Sequence, residues 1–86
     1  MVSDRWYSEK REAYIGLLNA LHDAAVRPSE AHAKAYALWQ TRCDLFGSLE
    51  VSKYAQAVVD TNEGPLAERE RALRALVRAM KADLNA

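Results

Sequence analysis

The chain has 86 residues, with 12 lysines and arginines balanced by 12 acidic residues, and a single cysteine. That length leaves room for one domain, 1–86; the charge lacks the basic excess of a strong non-specific nucleic-acid binder, and one thiol cannot close an internal disulfide. Hydrophobic residues make up 50% of the chain, but many are alanine, so the larger apolar side chains must do most of the packing.

The first predicted helix covers about 4–26, with Ser3 or Asp4 as its N-cap. Tyr7, Tyr14, Leu17, Leu18, Leu21 and Ala25 recur at spacings of three, four and seven, with Trp6 and Ile15 on the flank. Gly16 sits inside this helix at a cost of up to about 1 kcal/mol relative to alanine. Close approach of a neighbouring helix is the structural reason to keep it. Pro28 ends the helix by disfavouring helical geometry at Arg27.

Ser29 then caps a second helix, 29–46, whose expected core face is Ala35, Leu38, Trp39, Leu45 and Phe46, with Cys43 beside it. The short connection makes helices 1 and 2 an antiparallel hairpin. Gly47 stands where a C-terminal glycine belongs, and Ser48 opens a third helix, 49–60, built on Val51, Tyr54, Ala55 and Val58. Pro65 suits the first position of a fourth helix, 65–84. Leu66, Leu73, Leu76, Val77, Met80 and Leu84 form its apolar stripe, and Glu70 and Arg74 its exposed i,i+4 pair. At 1.5 Å per residue, helices 1, 2 and 4 span roughly 34, 26 and 30 Å. These lengths predict an all-α fold, an antiparallel three-helix bundle whose middle element is broken at Gly47-Ser48.

The segment "LFGSLEVSKYAQAVV" admits a second reading, as the turn and recognition helix of a helix-turn-helix DNA-binding regulator. Its second helix offers Ser52, Lys53 and Gln56, with one cation among them, whereas phosphate contacts normally dominate affinity for DNA. A glycine stop and a serine cap explain the segment better, and nucleic acid is an unlikely partner.

Few residues suggest chemistry. His22 and His32 lie ten apart across a turn, poor spacing for a zinc site, so no metal or other cofactor is expected. Cys43 lies near the end of helix 2, where the helix dipole disfavours a thiolate. No glycine-rich phosphate loop or evident carboxylate dyad occurs, so the expectation is a protein that is not an enzyme. Two surface features stand out instead. Arg71, Arg74, Arg78 and Lys81 line one side of helix 4, as a solvated face or as a contact for an acidic protein, phosphate or anionic lipid. Trp6 and Tyr7, beside Arg5, Lys10 and Arg11, either cover the edge of the core or anchor a partner.

Three segments carry a resemblance. "RWYSEKREAYIGLLNAL" resembles the opening helix of small helical proteins of actinobacteria and their phages, with Arg11, Ala13 and Tyr14 in a similar arrangement. "LFGSLEVSKYAQAVV" resembles their middle segment, and "RALRALVRAMKADL" their closing helix, through Ala79, Ala82, Asp83 and Leu84. The likeness spans nearly the whole chain, in packing and capping positions. It implies a helical bundle and a non-enzymatic role, and it brings no catalytic residues.

Many of those proteins carry a membrane-spanning segment before this domain. No stretch here approaches the roughly 18 apolar residues of such a span, and the first residues lack the apolar core of a signal peptide. The expected location is the cytoplasm, or the cytoplasmic part of a membrane-anchored parent if the chain is a fragment. The expected role is a small interaction module that binds a host protein or itself, with peripheral membrane contact as a further option.

Overall fold

The computed structural model describes residues 2–85. They form four helices, α1 (Val2–Val26), α2 (Glu30–Phe46), α3 (Leu49–Asp60) and α4 (Leu66–Leu84), with no strand among the described residues. The all-α class and the four helical segments match the sequence reading to within two residues at each end. The chain divides into two compact units, Met1–Phe46 and Gly47–Ala86. The first contains the hairpin of α1 on α2, the second the hairpin of α3 on α4.

Local chemistry sets the boundaries. Before α2, the Ser29 hydroxyl accepts the His32 backbone N–H at 3.0 Å, and the Ser29 carbonyl accepts that of Ala33 at 3.0 Å. Before α3, Ser48 holds extended backbone (φ −80°, ψ 164°) and accepts the Val51 N–H at 3.3 Å. Both serines therefore cap as their positions predict. The other ends need correction. α1 begins at Val2, so Ser3 and Asp4 lie inside its first turn rather than at the cap. Pro65 precedes α4 at the cap position (φ −57°, ψ 144°) instead of opening the helix, and its carbonyl accepts the N–H groups of Glu68 and Arg69. No described glycine has a positive φ, so Gly47 ends α2 without the left-handed conformation of a C-terminal glycine cap.

In the first unit, α1 turns small residues toward α2. Ala13, Gly16 and Ala20 are buried together with Tyr14 and Leu17. α2 answers with Tyr36 and Cys43, both buried, and with the half-buried Trp39. The expected α2 face was one step out of register: Leu38 and Leu45 are 63% and 67% exposed. Tyr7 and Ala25 of α1 are likewise exposed rather than core. A Cβ added at Gly16 would overlap the Trp39 ring, so the missing side chain is the space this indole fills. Arg42 stacks over the same ring, 4.5 Å from its centroid, and reaches Glu9 of α1 at 3.9 Å. These are half-exposed contacts, worth about 1 kcal/mol or less each.

In the second unit, Val51 and Ala55 of α3 pack on Ala72, Leu76 and Met80 of α4. The α4 residues lie four apart, so the buried line is narrower than the expected stripe. Leu66, Leu73 and Val77 stay exposed. Thr61 closes α3 by donating its hydroxyl to the Ala57 carbonyl at 2.8 Å.

Gly16→Ala should lower the thermal midpoint although it raises helix propensity. The propensity gain is about 1 kcal/mol, whereas overpacking against an aromatic ring costs about 1–3 kcal/mol. Thermal unfolding followed by circular dichroism measures the net sign. Gly16→Ala/Trp39→Leu should recover part of the loss, because the smaller side chain vacates the clash.

Candidate functional site

The two surface features singled out from the sequence belong to different units. Trp6 and Tyr7 belong to the first unit and the cation row to the second. Trp6 and Tyr7 are each 45% exposed. The Trp6 indole meets Phe46 edge to face, with centroids 5.0 Å apart and planes at 63°. Trp6 thus covers the open end of the α1–α2 seam while keeping nearly half its surface outside. Tyr7 does not close the core.

On α4, Arg71, Arg74, Arg78 and Lys81 are all exposed. Arg71, Arg74 and Arg78 line one shallow hollow of about 400 Å³ together with Glu70. Lys81 follows one turn later. Glu70 and Arg74 share the hollow without closing into the expected ion pair.

Arg78 also borders a second feature, an open groove of about 420 Å³ between α3 and α4. Ala75, Ala79 and Ala82 floor it, Tyr54 walls it, and Glu50 and Asp83 place carboxylates at its rim. The sequence signal for this groove was present in alanines at spacings of four and three, but the neighbouring leucines drew the helical face toward themselves. Chemically, the groove offers an apolar floor with charges of both signs around it. Such a surface suits a side chain or a helix edge.

The remaining candidates have structural explanations. Among the described residues, no three His, Cys, Asp or Glu side chains converge to hold a metal ion. The His32 ring nitrogen Nδ1 hydrogen-bonds the Arg27 carbonyl at 2.5 Å, bracing the turn between α1 and α2. On α3 the Lys53 ammonium lies over the Tyr54 ring, 5.4 Å from its centroid, Gln56 donates to Asp60 at 3.0 Å, and Glu50 stands in the first turn. That charge balance does not favour phosphate. No described helix is long and apolar enough to cross a membrane.

Cys43, expected beside the core, lies fully within it. Its thiol donates to the Ala13 carbonyl at 3.4 Å across the α1–α2 seam. Burial, reinforced by the neighbouring Asp44 carboxylate and partly offset by Arg42, pushes the thiol up from 9.0 to about 12. Tyr36 rises from 10.0 to about 12, through burial first and then the proximity of Cys43. Both groups are held neutral, which suits packing and not nucleophilic attack.

The two shifts give this unit an alkaline limit. Below pH 9 the folded and unfolded chains carry these protons equally, and the contribution is fully present. Above that, the unfolded thiol and then the unfolded phenol ionise, while the folded groups keep their protons to about 12. Stability should therefore fall progressively between pH 9 and 12. Cys43→Ser, which keeps the donor to Ala13, should move the onset toward the tyrosine value of 10.0, as read by thermal midpoint against pH.

No protein-family model, curated protein or solved structure matches the chain. The functional reading accordingly rests on the surfaces of the four helices themselves.

Proposed function

We propose that this chain is a non-enzymatic interaction module that binds a protein partner through its helix faces. The distribution of apolar side chains carries this reading. Among the described residues, eleven hydrophobic side chains are buried, and four of these are alanines. Eleven large hydrophobic side chains are exposed. Alanines thus take more than a third of the buried hydrophobic positions, and more large apolar side chains face outward than are buried. A hairpin of two helices gains little stability from so thin a seam, and exposed apolar surface rimmed by charge is the usual mark of an interface.

The cation row gives this surface a sign. Arg71, Arg74 and Arg78 around one hollow favour an acidic partner, with the arginine stems supplying apolar contact beneath the charges. Trp6 and Tyr7 are the corresponding anchor on the first unit, since half-exposed aromatics beside basic residues are common binding hot spots. A phage or accessory-gene origin, with a host protein as the target, agrees with the resemblance noted in three segments of the sequence.

Affinity capture from the source organism, with the intact chain and with Arg74→Glu/Arg78→Glu, tests the reading. One band should be recovered by the first and lost with the second, while the circular dichroism of the two chains stays the same. Recovery of the same bands by both chains would sink the assignment of this row.

A further inference from the structure

We propose that α4 pairs antiparallel with α4 of a second copy of this chain, through Leu66, Leu73, Val77 and Leu84. The proposal rests on α4 being an interaction helix and goes further by naming the occupant of one of its faces. Leu66, Leu73 and Val77 are 64%, 39% and 43% exposed, and Leu84 is half-buried. At 100° per residue these four fall within about 40° of one another, in a line about 80° around the helix from Leu76. They therefore form one continuous stripe about 27 Å long, beside the buried line of Ala72, Leu76 and Met80 and not part of it.

The stripe is self-complementary. In one antiparallel register, Leu66 meets Leu84 of the second copy and Leu73 meets its Val77. The two-fold axis repeats both pairs, as an isologous interface requires. Glu70 and Lys81 lie on the same flank of the stripe, eleven residues apart and within about 20° of each other. In antiparallel pairs the same flanks of the two helices meet. The register that aligns the apolar side chains thus sets each Glu70 beside Lys81 of the other copy. A parallel pair would instead place this flank of the two copies on opposite sides of the interface and leave Glu70 and Lys81 without each other. Neither residue forms an ion pair with another described residue within its own chain. Charge pattern and apolar pattern therefore select the same partner and the same direction.

The outer row of Arg71, Arg74 and Arg78 lies on the other side of Glu70 and remains open in the pair. The two readings thus use different faces of α4, and they can fail separately.

Sedimentation equilibrium of the intact chain, under reducing conditions from ~1 µM to ~1 mM, tests the proposal. A monomer–dimer equilibrium in the micromolar range is expected, and Leu73→Glu should abolish it. Glu70→Lys and Lys81→Glu should each weaken it by about tenfold or more, since each creates two like-charge contacts per dimer. The double variant Glu70→Lys/Lys81→Glu should return the Kd to within about threefold of the original, because the swap restores both pairs. All three charge variants alter exposed residues, so helicity is a check on folding and not a confounder. A chain that stays monomeric throughout, or a dimer indifferent to the single charge reversals, would overturn the proposal. Partner capture that survives in a monomeric chain would leave the broader interaction reading in place.

Discussion

The first unit depends on an absence: Gly16 has no side chain where the Trp39 ring lies. Ala13 and Ala20 extend the same shallow face along α1. With the backbone of α1 brought close to α2, the Cys43 thiol reaches the Ala13 carbonyl, and Arg42 can stack on Trp39 while facing Glu9. A larger residue at position 16 would push the helices apart and stretch each of these contacts together. The helix-propensity cost of a mid-helix glycine is offset by the packing it permits.

The same economy shapes α4. Its inward line of Ala72, Leu76 and Met80 is adequate for one neighbouring helix, and Val51 and Ala55 fill it. The helix carries more apolar surface than that one neighbour covers. To one side lie Leu66, Leu73 and Val77; to the other, the alanine floor of the groove beside Tyr54. The apolar arc of α4 is wider than the single contact that α3 makes with it. In the proposed pair it is the charged Glu70 and Lys81 that favour one direction, since apolar surface alone is indifferent to direction.

Much of this was legible in the sequence, and what was not has a physical cause. Ser29 and Ser48 declared themselves because capping is local: one hydroxyl, one backbone N–H, three residues apart. Gly16 announced a close approach, and the structure supplies the ring that makes it. The inward face of α2 was misread because leucine is more hydrophobic than tyrosine or cysteine, so Leu38 and Leu45 drew the helix toward themselves. What turns Tyr36, Trp39 and Cys43 inward is the shallow face of α1, a property of the partner helix and invisible in the α2 sequence. On α4 the error was of width. Spacing identifies an apolar arc but cannot divide it between a packed line and a bare one. The aromatic edge at Trp6 and the arginine row were visible as composition, whereas the groove needed the neighbouring α3 to give it walls.

Cys43 carries a consequence for how assembly of this protein should be interpreted. It is the only sulfhydryl in the sequence, and it is sealed between two helices. A covalent link between two molecules can form only when that seal has been broken in both. A disulfide-linked dimer on a non-reducing gel therefore marks molecules whose first hairpin has come apart, and its yield reports how far that hairpin opens.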